Sequence, residues 1–85
     1  MDNSINSPRQ RLLRGKLKEA RKAAKLTQKQ LGQLLGKPQS YISKIELGER
    51  RVETMELDII LSALGIASED FLKDLKTQLN NISET

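Results

Sequence analysis

The chain has 85 residues, with no cysteine, no histidine and only two aromatic side chains. It can bury one modest core, and it lacks the residues most used for disulfides, transition-metal sites and general-base catalysis. Its net charge of +4 hides a segregation: residues 1–51 carry thirteen Lys or Arg against four Asp or Glu, and residues 52–85 carry two against seven.

In chain order, residues 1–8 (MDNSINSP) are polar and aperiodic and read as a flexible N-terminal arm. Leu13, Leu17, Ala20 and Ala24 recur at helical spacing, predicting a first helix over 9–24 with Ser7 as N-cap and Pro8 in the first turn. Lys25 and Leu26 break it. Thr27 then opens a second helix, and Gln30 three residues on completes a capping-box pattern. Leu31, Leu34 and Leu35 form its expected buried stripe, and Gly36 its left-handed C-cap. Pro38 starts a third helix that Gly48 closes.

A charged loop leads to a fourth helix from about Glu53 to Leu64, carrying Leu57, Ile60, Leu61 and Leu64 and stopped by Gly65. Ser68 is the expected N-cap of a fifth, where Glu69 and Asp70 suit the positive end of the helix dipole. That helix carries Phe71, Leu72, Leu75, Leu79 and Ile82 and ends in a short tail, 83–85. No stretch alternates with the period of a strand, and no apolar run is long enough to span a membrane. The expectation is all-α: one compact five-helix domain over 9–82.

The third helix has two faces. At about 100° per residue, Tyr41, Ile42, Ile45 and Glu46 fall on one arc, with Gln39, Ser40, Ser43, Lys44 and Leu47 on the other. The first arc suits a core. The second presents an amide, two hydroxyls and an ammonium, the groups that read base edges in a DNA groove. The basic first half is consistent with a polyanionic partner, and the scarcity of aromatics argues against stacking on single strands. Glu46 on the inward arc requires a positive partner, since an unpaired buried carboxylate is costly.

From Leu26 to Arg50 the sequence LTQKQLGQLLGKPQSYISKIELGER, with EARKAAK before it and LSALGI and DFL after it, resembles the Cro and phage-repressor (XRE-type) helix-turn-helix family. The resemblance implies a lambda-repressor-like fold that places the third helix in the major groove of duplex DNA. Carried over by position, it implies base contacts from Gln39, Ser40 and Lys44, with Ser43 able to serve base or phosphate. It implies phosphate contacts from Gln28 and Tyr41, and an ion pair between Arg21 and Glu46. Lys37, Arg50 and Arg51 add positive charge beside the motif; for the arginine pair, phosphate clamping and plain surface charge both stand as readings. Arg9, Arg11 and Arg14 divide the same way. The sequence departs from the family where Lys25 replaces a common glycine, Pro38 a Ser or Thr cap, Leu47 a polar residue and Val52 a proline.

Leu72, Leu75, Leu79 and Ile82 recur with a/d spacing. Beyond what its own domain can cover, this stripe would be exposed on a monomer, so a homodimer through the fifth helix is expected. The leading function is a sequence-specific regulator, a repressor reading an inverted repeat in duplex DNA as a homodimer in the cytoplasm, at the nucleoid. The competing reading is an antitoxin-like or other protein-binding module with secondary DNA binding. No catalytic constellation, metal site, cofactor, small-molecule ligand or membrane association is expected.

Overall fold

A computed structural model describes residues 4–83, with side chains described through residue 81. Five helices follow one another: α1 Pro8–Ala23, α2 Gln28–Leu35, α3 Gln39–Leu47, α4 Thr54–Ala63 and α5 Ser68–Ser83. The described residues contain no strand. Each helix contributes to one buried cluster: Leu17 from α1, Leu31 from α2, Ile42 and Ile45 from α3, Ile60 and Leu61 from α4, and Phe71 from α5. Helices α1 and α2 pack against α3, α4 packs against α2, and α5 closes the far side against α1 and α4.

The local signals explain most boundaries. Ser7 accepts from the Gln10 N–H at the start of α1, with Pro8 in the first turn. Gly36, Gly48 and Gly65 all take positive φ where helices end. Lys25 does so too, at φ 61°, where glycine would be at ease. A non-glycine residue there costs about 1–2 kcal/mol, part of which glycine would return through its freer unfolded chain. Lys25→Gly should therefore stabilise the domain by about 0.5–1 kcal/mol. An unchanged or lower thermal midpoint would show that the lysine is not strained.

Three details differ from the expected pattern. Leu34 is exposed (61%) rather than core. The buried side of α2 centres between Leu31 and Gly32, because the α2–α3 turn presses on Gly32, and Leu34 lies roughly 110° from that centre at 100° per residue. Ser68 is the first residue of α5 rather than its cap: the Phe71 N–H bonds to the Ala67 carbonyl, and the Ser68 hydroxyl donates to Asp58 Oδ1 at 2.9 Å.

The third difference concerns the arm. Residues 4–7 form a turn where a loose segment was expected, with the Ser7 N–H on the Ser4 carbonyl. Arg14 holds this turn by donating to the Ile5 carbonyl at 2.6 Å and to Asn6 Oδ1 at 3.4 Å. Its guanidinium lies over Gly48, where a Cβ would come within 2.5 Å of Cζ. Residues 1–3 and 84–85 lie outside the described chain.

Candidate nucleic-acid interface

The connection between α2 and α3 is built from its ends inward. Thr27 Oγ1 accepts from the Gln30 N–H at 3.0 Å, and Gln30 Oε1 accepts from the Thr27 N–H at 2.8 Å, a complete capping box. At the other end Gly36 turns left-handed, and the Lys37 N–H returns to the Gly32 carbonyl at 2.8 Å. The Lys37 carbonyl then lies so close to Gly32 that a Cβ would approach it to 2.7 Å. The close approach of the two helices thus depends on a small residue at 32. Pro38 precedes α3 without a side-chain cap.

Between them, α1 and α2 orient α3 through one polar chain. Arg21, buried on α1, donates from Nε to Glu46 Oε2 at 2.7 Å and from Nη2 to Oε1 at 3.1 Å, and its Nη1 reaches the Leu26 carbonyl at 2.8 Å. Gln28 Nε2 also donates to Glu46 Oε1, at 2.9 Å. Burial alone would raise the Glu46 pKa, but the hydrogen bonds from Arg21 and Gln28 and the guanidinium charge outweigh it and lower it. Gln28 Oε1 accepts in turn from Gln39 Nε2 at 3.3 Å. Arg21 can only donate and ionised Glu46 can only accept. Both amides are therefore oriented, and Gln39 keeps its carbonyl oxygen and one N–H for an external partner.

On the outward face of α3, Gln39, Ser40 and Lys44 are exposed, Ser43 is half-buried, and Leu47 stands out at 65% exposure. The structure therefore brings the proposed base-reading side chains onto one open surface. The proposed phosphate contacts are more occupied. The Gln28 amide is taken up by Glu46 and Gln39. The Tyr41 hydroxyl donates to Glu56 Oε2 at 2.7 Å rather than facing outward alone. Arg50 makes a two-pronged contact with the same carboxylate, at 3.2 Å and 2.7 Å. Its guanidinium lies 4.8 Å from the Tyr41 ring centre, and Lys37 Nζ lies 5.3 Å from it. Lys37, Tyr41 and Arg50 thus form one cluster beside α3, and Arg51 is exposed next to it.

Two residues that sequence reasoning passed over, Glu56 and Gly32, shape this surface, and Arg14 takes a role other than the phosphate contact or surface charge expected of it. Glu56 is the hub of the Tyr41–Arg50 cluster and also accepts from the Glu53 N–H at 3.1 Å; with a glutamate in the cap position, the usual Ser/Thr signal is missing. Gly32 reads as an ordinary weak helix residue until the Lys37 carbonyl is placed beside it. Arg14 joins the N-terminal turn to the end of α3. Arg9 lines a groove against α5 instead of joining this surface.

The tyrosine provides a direct readout of the cluster. Burial, then the hydrogen bond to Glu56, raise the Tyr41 pKa from 10.0 to about 12, with Arg50 opposing. Its proton is held more tightly in the folded state, so its contribution to stability is full below pH 10 and lost as pH rises toward about 12. Since Tyr41 is the chain's one tyrosine, absorbance titration of the folded protein should show a single late transition, and Glu56→Gln should move it earlier. A midpoint near 10 in folded wild type would contradict the Tyr41–Glu56 bond.

Residues 17–71 match the family model described as helix-turn-helix, HTH_3. A search of curated proteins gave no match. No described helix is long and apolar enough to cross a membrane.

Proposed function

Because this chain belongs to the Cro/C1-type (XRE) helix-turn-helix family and is a DNA-binding transcription regulator, we propose that it acts as a repressor, reading an inverted-repeat operator as a homodimer with α3 in the major groove. The observation that carries this reading is the outward face of α3. Gln39, Ser40 and Lys44 project from a helix whose inward face is tied to the core through Glu46.

Gln39 suits an adenine edge, because the carbonyl and N–H it has left match N6 and N7. Lys44 reaches toward guanine, and Ser40 and Ser43 add shorter contacts. Phosphates on either side meet Lys37, Arg50 and Arg51, and the N–H groups at the start of α2 at Gln28. Tyr41 serves mainly as the platform on which Lys37 and Arg50 are arranged. On α5, Leu72 is 43% exposed, while Leu75 and Leu79 are half-buried. These three supply the dimer contact; the side chain of Ile82, expected to join them, lies outside the described residues. Such two-fold dimers place their reading helices about 34–36 Å apart, one turn of DNA.

Selection of random duplexes with purified protein tests the proposal. It should enrich a palindrome whose half-sites lie one turn apart, and affinity should fall with salt by about 0.9 log units per log unit for each phosphate neutralised. Enrichment of a single half-site would defeat the dimer reading, and no enrichment would defeat sequence-specific repression.

A further inference from the structure

Viewed down α5 with Leu72 at the centre, side chains fall on two flanks at about 100° per residue. On one flank lie Phe71, Asp74 and Leu75, and this is the flank α1 covers. Phe71 is buried, Leu75 is half-buried, and Lys16 of α1 pairs with Asp74 while its ammonium lies 5.5 Å from the centre of the Phe71 ring. Leu13 and Arg9 of α1 line a groove with Leu72, Leu75, Lys76 and Leu79 of α5.

On the other flank lie Glu69 and Lys76, about 60° and 40° from Leu72. Both are exposed. Seven residues apart on a helix, they are separated by about 10.5 Å along the axis, too far to pair with each other. The rim of the apolar face thus carries Glu69 and Lys76 two turns apart, and neither has a charged partner among the described residues.

We propose that a second copy of this chain covers this face with its α5 running antiparallel, so that Glu69 of each subunit pairs with Lys76 of the partner subunit. The inference rests on the α5 dimer reading above and adds its orientation and specificity. A two-fold crossing centred between Leu72 and Lys73 sets residue 69 opposite residue 76 in both directions, making two equivalent ion pairs around the apolar contact. A parallel crossing turns this flank toward the side that α1 covers, which carries Arg9 and Asp74; only the antiparallel crossing sets Glu69 and Lys76 opposite each other. With a/d spacing, flanking charges of this kind set partner choice and orientation more than affinity.

Sedimentation of the full chain at low salt, where exposed pairs are least screened, tests the pairing, with thermal melts to confirm folding. Glu69→Lys and Lys76→Glu each place like charges opposite one another twice. Each should weaken the dimer about tenfold, from two exposed pairs of modest individual strength. The double variant restores both pairs with their signs exchanged and should return the dimer Kd to within about threefold of wild type. Leu72→Glu should dissociate the dimer. If Leu72→Glu dissociates it while single reversals change nothing, or the double variant fails to recover, the antiparallel pairing is wrong and the α5 dimer stands. If Leu72→Glu leaves the dimer intact, the α5 dimer reading itself falls.

Discussion

Arg21→Met should destabilise the domain by about 3–5 kcal/mol, because it leaves the Glu46 carboxylate buried without its cation. In a domain of this size that is about half or more of the total stability, and the thermal midpoint should fall by about 15–30 °C. The pH dependence separates this cause from lost packing. In the wild type the Glu46 pKa is lowered, so the stability it contributes is present above its usual value of 4.5 and lost as pH falls through the folded value. In Arg21→Met burial dominates, the folded pKa rises above the unfolded one, and the sign inverts: the variant gains stability as pH falls toward 4.5. A Tm that falls with acid in both proteins would show that Glu46 is not the group left unpaired.

Replacing both partners sharpens the point. Arg21→Met with Glu46→Leu should recover most of the loss, since an apolar pair of similar volume removes the desolvation cost along with the attraction. The double variant also removes the acceptor that orients Gln28, and with it the orientation of Gln39. A protein that regains its melting temperature but discriminates poorly between operators would locate the value of the ion pair in reading DNA. Restored specificity would place that value in stability alone.

Much of this arrangement was legible in the sequence because its causes are local. The Thr27–Gln30 box and the left-handed glycines at 36 and 48 follow from chemistry within a few residues, while the strain at Lys25 was signalled by the family resemblance, which has glycine there. Arg21–Glu46 was legible for another reason: a carboxylate on an apolar arc demands a cation, and the family resemblance named one. What escaped the sequence is what depends on distance between helices. Leu34 obeys the helical period of a buried stripe, yet α3 approaches from the Gly32 side and leaves it in solvent. Glu56 and Arg14 look like surface charges, and only the folded chain sets one under Tyr41 and the other over Gly48. Long charged side chains reach across element boundaries, and no periodicity encodes where they end.

The base and phosphate roles predict opposite signatures in DNA binding. In the base-reading role proposed for Gln39, Gln39→Ala removes a bidentate contact worth about 1–3 kcal/mol at one base pair. A two-fold dimer repeats that loss in each half-site, so operator affinity should fall about 10²-fold or more while affinity for unrelated duplex stays nearly unchanged. Lys44→Ala should act likewise at a different position in the half-site. Arg50→Ala should instead weaken operator and unrelated duplex by the same factor and reduce the salt slope by about one per subunit. Its two-pronged contact with Glu56 does not conflict with this role, because the side chain is still 39% exposed and its guanidinium lies over Tyr41, close to the α3 surface. Titrating both duplexes between about 50 and 200 mM salt separates the two classes. If Gln39→Ala and Arg50→Ala lower both affinities alike, α3 does not read bases through Gln39, and the polar chain from Arg21 through Glu46 and Gln28 serves the fold alone.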